Sequence, residues 1–285
     1  MKSIHISQSA DGSTKHVFKL EDDLLLEAVW IPLHPGVNLC LSCQIGCVNK
    51  CLHCATAGLP YKRDASCIEI QQQVHTLLST HGNDGGKVHL LFMGMGEPMF
   101  NFDNVVGAID ALNADGTIPS CGSAIVSTSG VVPGINRLST LGKRPALAVT
   151  IGAAPDVKRA QMIPLTKVYP LQMVIDACQQ FQTKTGDRIT FEVPLVGDFN
   201  SSPKDADSIA SVLRGFDCEV VLIPFNPFAS TILREPTTSQ VEKFRDVLQG
   251  QGFRVNIVPS AGRDIQAGCG QLVAGATGNV ARAKN

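Results

Sequence analysis

Cys47, Cys51 and Cys54 are spaced C-x3-C-x2-C in the stretch NLCLSCQIGCVNKCLHC, directly after a short apolar run. Three thiols on one tight loop are typical of a metal centre, because cysteine binds metals as the thiolate. A structural zinc site normally takes four protein ligands, and Cys43 or His53 could be the fourth. An iron–sulfur cluster with only three protein ligands would leave one iron open to a small molecule, as a reactive site needs. The spacing alone leaves zinc and iron–sulfur open.

The composition excludes some classes of protein. The chain of 285 residues has 24 Lys and Arg against 25 Asp and Glu, so a strongly basic nucleic-acid-binding protein is not indicated. The N-terminus lacks the apolar segment of a secretory signal, and no apolar run approaches the ~18 residues of a membrane span. We therefore expect a cytoplasmic protein without membrane segments. Because cytosolic thiols stay reduced, its ten cysteines point to metal binding or catalysis before structural disulfides.

Short apolar runs alternate with amphipathic segments along most of the chain. KHVFKL (15–20) and LLLEAVWIP (24–32) predict a β-hairpin. Seven runs rich in Val, Ile and Leu follow, at 37–41, 87–94, 123–130, 146–152, 188–196, 218–226 and 253–259. This alternation predicts parallel strands joined by helices, in either an open doubly wound sheet or a full or partial barrel. We predict an N-terminal β extension at 1–36 and one α/β domain at 37–285.

Three segments carry signals for the start of a helix. Ser66–Glu69 and Ser239–Glu242 have the spacing of capping boxes, in which a serine and a glutamate satisfy each other's free backbone N–H groups. Ser202 comes directly before Pro203, the order expected of an N-cap and the first helical residue. We therefore predict helices that begin just after Ser66, Ser202 and Ser239.

Four further motifs follow the cysteine loop in order, namely GMGEP (94–98), STSGVVP (127–133), IPFNPF (223–228) and AGCGQL (267–272). Together with C-x3-C-x2-C they resemble the RlmN/Cfr family of radical S-adenosylmethionine (SAM) methyl synthases, which methylate an adenosine in ribosomal or transfer RNA. The resemblance runs from about Asp11 to Val273. It implies a partial (β/α)6 barrel of the radical SAM type, with an N-terminal β-hairpin extension and a site at the carboxyl ends of the strands.

The resemblance also implies two cofactors. Cys47, Cys51 and Cys54 would hold a [4Fe–4S] cluster whose open iron binds the amino and carboxylate groups of SAM, and an electron would cleave SAM to a 5′-deoxyadenosyl radical. Glu97 would accept hydrogen bonds from the SAM ammonium group. The residues at the SAM-binding positions are Gly96, Glu97, Ser127, Thr150, Gly152 and Asn226.

Three more residues match reactive positions of the family. Cys269 would accept a methyl group from one SAM, and a radical derived from a second SAM would turn that group into a one-carbon radical that adds to the adenine ring. The protein–RNA adduct that results is a case of covalent catalysis. Cys40 would help to release the product and form a transient disulfide with Cys269. Glu27, within LLLEAVWIP, would bind the adenine and handle its proton.

The sequence departs from the family in three places. It begins almost directly at the β extension, where relatives usually carry an accessory domain that helps to grip RNA. Gly152 stands where relatives have a histidine, and only Arg263 remains of a basic group before Asp264. Basic residues elsewhere could follow an RNA phosphate backbone or be ordinary solvated charges. They occur as the pairs Lys62-Arg63, Lys143-Arg144 and Lys158-Arg159.

The function predicted first is methylation of an adenosine carbon in RNA by a monomeric enzyme that receives electrons from a donor such as flavodoxin or ferredoxin. A radical SAM enzyme that acts on a non-RNA substrate is the second alternative. A non-catalytic zinc or iron–sulfur binding protein is the third. The sequence does not specify the RNA, the adenosine or the ring carbon.

Overall fold

The computed structural model describes residues 1–229 and 231–274. The strands are β1 (Lys2–Gln8), β2 (Thr14–Lys19), β3 (Leu25–Pro32), β4 (Gly36–Cys40), β5 (Gln44–Ile45), β6 (Arg63–Asp64), β7 (Lys87–Phe92), β8 (Ala124–Thr128), β9 (Ala146–Thr150), β10 (Ile189–Leu195), β11 (Cys218–Pro224) and β12 (Arg254–Ile257). The helices are α1 (Cys67–His81), α2 (Phe102–Ala114), α3 (Val132–Leu138), α4 (Asp156–Met162), α5 (Leu171–Thr185), α6 (Pro203–Leu213) and α7 (Thr238–Gly250).

Ten of the strands form one sheet in the order β1-β2-β3-β4-β7-β8-β9-β10-β11-β12, and β5 pairs with β6 separately. From β4 to β12 all neighbouring strands of the large sheet are parallel, and each is joined to the next through at least one helix. The seven apolar runs all coincide with these parallel strands. The mixed α/β fold with a central parallel sheet is therefore confirmed.

The N-terminal extension is an antiparallel sheet that continues the main one. The predicted hairpin is present as β2 and β3, with Thr14 opposite Trp30 and Lys19 opposite Leu25. A third strand, β1, adds to its outer edge, and β3 pairs antiparallel with β4. The sequence analysis missed β1, although the polar–apolar alternation of KSIHISQ is typical of a strand. The division after residue 36 stays a prediction, and the sheet crosses it without a break.

Two of the three predicted helix starts are confirmed and one is shifted. Ser66 caps α1 in a capping box with Glu69, and Ser202 caps α6 ahead of Pro203. The prediction of a capping box at Ser239 is wrong, because α7 begins two residues before the predicted start and Thr237 is its N-cap. The Thr237 hydroxyl accepts from the Gln240 backbone N–H, and the Gln240 side chain completes the box.

The core lies between the sheet and its helices. Fully buried side chains from the middle strands, such as Leu39, Leu90 and Phe191, pack against those of the helices, such as Leu77 and Phe244. Burial of this much apolar area is the main term that favours the fold. It leaves the carboxyl ends of the strands as the edge at which loops and polar groups can gather. In the described part of the chain, no helix is both long and apolar enough to cross a bilayer.

Candidate active site

A cavity lies at the carboxyl ends of the parallel strands, between the cysteine loop and the C-terminal segment. Its walls include residues from the loop after β5, from the ends of β7 to β11 and from residues 269–272. The side chains around it that carry a polar group or a thiol are Cys47, Asn49, Cys51, His53, Cys54, Thr56, Glu97, Ser127, Ser129, Thr150, Glu192 and Cys269. Residues from both halves of the chain therefore meet at one site.

The cysteine loop places three thiols on this cavity. Cys47, Cys51 and Cys54 all line it, and the Lys50 ammonium holds the loop by donating to two backbone carbonyl groups further along it. Burial raises the pKa of Cys47 to about 12, and it also raises the pKa of Cys51, to which the neighbouring thiols of Cys54 and Cys47 contribute as well. A metal that binds here must displace these protons, because cysteine binds as the thiolate.

Three cysteine thiols around one cavity are the donor set of an iron–sulfur cluster that keeps an iron open. Within residues 1–229 and 231–274, no three His, Cys, Asp or Glu side chains converge as the ligands of a single metal ion. Cys43, which could complete a zinc site, is buried and directs its thiol to the Met95 carbonyl oxygen at 3.6 Å. The three thiols that line this cavity are a donor set that fits such a cluster.

Glu97 is the buried carboxylate of the GMGEP motif. Its Oε2 accepts from the Asn49 amide at 3.0 Å and from the Ser129 backbone N–H at 2.9 Å, and its Oε1 accepts from the Met99 backbone N–H at 3.1 Å. Burial raises the pKa of Glu97 above its usual range. Gly96 has φ +101°, and a Cβ there would meet the Gln44 side chain at 2.5 Å. Glycine at this position lets the chain turn and present Glu97 to the cavity.

Ser127 and Thr150, both predicted at the SAM site, share one acceptor. The Ser127 hydroxyl donates to Oε2 of Glu192 at 2.5 Å, and the Thr150 hydroxyl donates to the same oxygen at 3.1 Å. Glu192 lies on β10, lines the cavity and is 5% exposed, and burial raises its pKa. The sequence analysis missed Glu192. Its signal is a single carboxylate in the otherwise apolar run RITFEVPLV.

Two predicted SAM-binding residues are not among the cavity walls. Gly152 has φ +70°, and a Cβ there would come within 2.9 Å of the Ile163 side chain, while its carbonyl accepts from Asn200 at 2.6 Å. The positive φ and the lack of room for a Cβ beside Ile163 therefore account for glycine at position 152. The Asn226 amide donates to the Cys269 carbonyl oxygen at 3.0 Å, so Asn226 holds the C-terminal segment.

Cys40 and Cys269 come from distant parts of the chain and approach the same region. Cys269 lines the cavity and its residue is exposed, whereas Cys40, at the end of β4, is partly buried in an apolar cluster that includes Leu272. Although residue Cys269 is exposed as a whole, the protein atoms packed around its thiol desolvate it and raise its pKa, and the Glu192 carboxylate and the thiols of Cys40 and Cys54 add to this effect. Both cysteines are free thiols. No disulfide joins them, and the Cys40 thiol is near enough to Cys269 to affect its pKa.

Glu27 is fully buried and fixes the C-terminal segment. Its Oε2 accepts from the Val273 backbone N–H at 2.9 Å, and its Oε1 lies 3.4 Å from the Lys15 ammonium. Lys15 also donates to the Gln266 carbonyl oxygen at 3.0 Å. On the other side of the segment, the Thr56 hydroxyl donates to the Leu272 carbonyl oxygen at 2.7 Å. The segment that carries Cys269 is thus tied to both the β extension and the cysteine loop.

The predicted basic clusters have mostly structural partners. The side chains of Arg63, Arg144 and Lys158 form ion pairs with acidic residues of the chain. Arg159 is fully buried, and its guanidinium donates to the carbonyl oxygens of Ser129, Thr150 and Ile151 and to the Thr166 hydroxyl. It therefore braces the ends of β8 and β9 from behind the cavity.

The cavity is rich in groups that accept hydrogen bonds or carry negative charge. Glu97 and Glu192 are buried there with neutral donors only, and no Lys or Arg is among the described residues that line it. Among the described residues that line it, the one histidine is His53, and burial lowers the pKa of His53 to about 4, so its ring is neutral at pH 7. Such a site favours a ligand that brings positive charge and hydrogen-bond donors.

Curated proteins similar to this chain include RNA methyltransferases. A "dual-specificity RNA methyltransferase RlmN" from Syntrophobacter fumaroxidans is 37% identical over 269 residues, which are 94% of this chain and 78% of that protein. A "probable dual-specificity RNA methyltransferase RlmN" from Thermosynechococcus vestitus is 39% identical over 262 residues, covering 92% of this chain and 77% of that protein. No protein-family model matches the chain.

Solved structures show the same fold. A radical SAM methyltransferase from Sphaerobacter thermophilus superposes with a TM-score of 0.93 at 32% identity, covering 96% of this chain and 81% of that one. SuiB from Streptococcus suis, in a structure bound to S-adenosylmethionine, reaches a TM-score of 0.56 at 11% identity, covering 79% of this chain and 50% of SuiB. That second similarity concerns the fold alone.

Proposed function

Because the chain belongs to the RlmN family of radical SAM RNA methyltransferases, we propose that it methylates an adenosine carbon in RNA through a methyl group carried on Cys269. One observation supports this most strongly. The C-terminal segment brings Cys269 to the same cavity as the three-cysteine loop, although the two are separated by more than half of the chain.

The cofactors of this chemistry are a [4Fe–4S] cluster and SAM. Cys47, Cys51 and Cys54, which all line the cavity, would hold the cluster. Glu97, Ser127 and Thr150 would contact SAM, and the acceptor-rich wall suits its ammonium and sulfonium groups. When bound, the cluster and SAM together supply the organic radical that attacks an otherwise inert C–H bond.

The protein's own residues would divide the reaction into easier steps. The Cys269 sulfur would take the methyl group from SAM and carry it to the adenine, as a covalent catalyst does. The Cys40 thiol would then release the RNA from Cys269 and leave a disulfide between the two residues. Their proximity beside one cavity supports this division of roles. A reductant would have to restore both thiols before the next turnover.

Glu27 would act on the target base only after a local rearrangement. Its carboxylate is fully buried and already accepts from the Val273 N–H, so a base cannot reach it while the segment 266–274 stays in place. We propose that RNA displaces Val273 and that the adenine then uses the freed carboxylate oxygen. A carboxylate that exchanges a backbone donor for a base donor keeps its hydrogen bonding throughout.

Further features belong to the same proposal. Electrons would come from a donor protein such as flavodoxin or ferredoxin, because the cluster cycle consumes them. The enzyme would work as a monomer, since side chains of one chain surround the cavity, and it would work in the cytoplasm, where thiols stay reduced. Ribosomal and transfer RNA are both candidates for the substrate.

The test is direct. The protein, reconstituted anaerobically with iron and sulfide, is incubated with SAM, a reductant and either ribosomal or transfer RNA from cells that lack the enzyme. Mass spectrometry of the nucleosides should then detect methylated adenosine, and the Cys269→Ala variant should produce none. Formation of 5′-deoxyadenosine by the parent protein with both RNAs left unmodified would contradict RNA methylation and favour a non-RNA substrate.

A further inference from the structure

Glu192 is a cavity residue for which the proposed mechanism has no role. It stands on β10 opposite the C-terminal segment, and Ser127 and Thr150 both donate to its Oε2. Both donors are hydroxyl groups, so the carboxylate receives no positive charge from the protein. A buried carboxylate without a cation is costly unless a bound ligand compensates it.

The two hydrogen bonds also limit how the hydroxyl groups of Ser127 and Thr150 can bind a ligand. Each hydroxyl has one hydrogen, and Glu192 accepts both of them, so Ser127 and Thr150 can offer only lone pairs to a ligand. The Glu97 carboxylate, on the same cavity, can likewise only accept. This wall therefore recognises donors and cations, and it gains little from a neutral ligand of the same shape.

The proposed function makes this property useful. When a methyl group passes from SAM to Cys269, the carbon leaves the sulfonium sulfur and bonds to the cysteine sulfur, and the thiol proton is released to solvent. The sulfonium becomes the neutral thioether of S-adenosylhomocysteine (SAH). SAH must then leave the cavity so that the second SAM can bind. A site that binds the two equally well would be inhibited by its own product.

We propose that Glu192 is the residue that makes the cavity select cationic SAM over neutral SAH. The inference rests on the proposed function, because it assumes that the ligand is SAM. Two features of the cavity place the charge where it is needed. Glu192 and Cys269 line the same cavity, and the donor sulfur must lie beside Cys269 for the methyl group to transfer. The Glu192 carboxylate is also close enough to influence the Cys269 thiol electrostatically.

The test is equilibrium dialysis with three ligands, SAM, SAH and sinefungin, whose ammonium group replaces the sulfonium. The reconstituted protein carries Cys269→Ala so that no methyl group is transferred, and no reductant is added. Glu192→Gln keeps the shape of the side chain and removes its charge. It should weaken SAM and sinefungin by roughly tenfold, the size of one partly screened charge pair, and change SAH by less than about twofold.

Asp205→Asn is the matched control, because Asp205 is also a buried carboxylate but lies at the start of α6, away from the cavity. It should leave all three affinities unchanged. A second variant, Ser127→Ala with Thr150→Val, retains the charge and removes the hydroxyl groups. It should weaken all three ligands and keep the preference for SAM over SAH.

Two results would overturn the inference. One is an equal loss of SAM and SAH affinity in Glu192→Gln, which would indicate a structural role. The other is equal binding of SAH, SAM and sinefungin by the protein in which Glu192 is intact. Failure to bind SAM at all would instead contradict the proposed function itself.

Discussion

Two regions of the molecule contain buried carboxylates, and they differ in the partners that the protein provides. At the junction of the β extension and the C-terminal segment, Glu27 has its own cation, with the Lys15 ammonium 3.4 Å away and both side chains almost fully buried. Around the cavity, Glu97 and Glu192 have neutral donors only. The first region contains its own counter-charge, whereas in the second the protein provides only neutral donors to the carboxylates.

The difference separates a structural junction from a binding site. The Glu27–Lys15 pair and its bonds to Val273 and Gln266 hold the segment that carries Cys269. The cavity uses glycine, neutral amides and hydroxyl groups, which orient its carboxylates without neutralising them. Perturbing the first region should therefore change the stability of the cluster-free protein, in addition to the proposed role of Glu27 on the target base, whereas perturbing the second should change mainly ligand binding. The predictions below test that contrast in order of expected size.

The largest effect is expected from the cavity. Cys51→Ala removes one of the three proposed cluster ligands, so RNA methylation should fall by at least about 10³-fold and the iron content after reconstitution should drop sharply. Cys218→Ala is the control, since Cys218 is a buried cysteine of β11 outside the cavity. Normal iron content and activity in Cys51→Ala would show that this residue is not a ligand.

At the junction, Lys15→Met should destabilise the protein by about 3–5 kcal/mol, because it leaves the Glu27 carboxylate buried without its cation. The measurement is the free energy of unfolding of the cluster-free protein in urea. Adding Glu27→Gln to Lys15→Met should recover much of the loss, since the amide carries no charge. A loss below about 1 kcal/mol, the size typical of exposed ion pairs, would mean that the pair is not buried in solution.

His16 should make the stability of the N-terminal β extension depend on pH. Burial, and then the neighbouring His81, lower the pKa of His16 to about 4, below the 6.5 of an unperturbed histidine. The unfolded chain therefore binds more protons between pH 6.5 and 4. The stability that His16 contributes is complete above pH 6.5 and is lost as the pH falls, by at most about 1.4 kcal/mol per pH unit.

Urea unfolding at pH 7.5 and at pH 5 measures this effect. His16→Gln should remove that part of the pH dependence, because glutamine does not titrate. The Nε2 atoms of His16 and His81 are 2.8 Å apart, so protonating both rings would place two donors face to face. Parallel losses of stability in the parent and the variant would show that His16 does not titrate in this range.

The smallest effect is expected outside both regions. Arg188 and Asp217 form an ion pair at 3.1 Å, and both side chains are about half exposed. Arg188→Ala should change the free energy of unfolding by less than about 1 kcal/mol, because water and salt screen exposed pairs. It should leave SAM binding unchanged. A change as large as that of Lys15→Met would remove the distinction between buried and exposed pairs on which the comparison depends.

The sequence predicts much of this architecture, for identifiable reasons. The parallel strands follow from the apolar runs, and Ser66 and Ser202 start helices because their caps depend only on neighbouring residues. The shift from Ser239 to Thr237 was harder to predict, since several hydroxyl-bearing residues in a row can serve as the cap. Motif order also predicted that Cys47, Glu97, Ser127 and Cys269 belong to one site.

Other features depend on three-dimensional contacts that sequence patterns do not specify. Glu192 looks like any polar residue in a strand until Ser127 and Thr150 are placed beside it. Glu27 was predicted at the adenine position, which remains a proposal, but its bond to Val273 links residues at opposite ends of the chain. The basic pairs could have been exposed charges, and the burial of Arg159 became evident only from the packing of α4 against the strand ends.

The central claim is that Cys269 carries the methyl group to RNA and that Cys40 releases the product. Cys40→Ala, reconstituted and incubated with SAM, reductant and substrate RNA, tests it most directly by denaturing electrophoresis followed by mass spectrometry of the protein–RNA band. We expect a stable covalent adduct, with the RNA attached to the peptide that contains Cys269. An active cluster and intact RNA with no such adduct, or an adduct at another residue, would contradict the account.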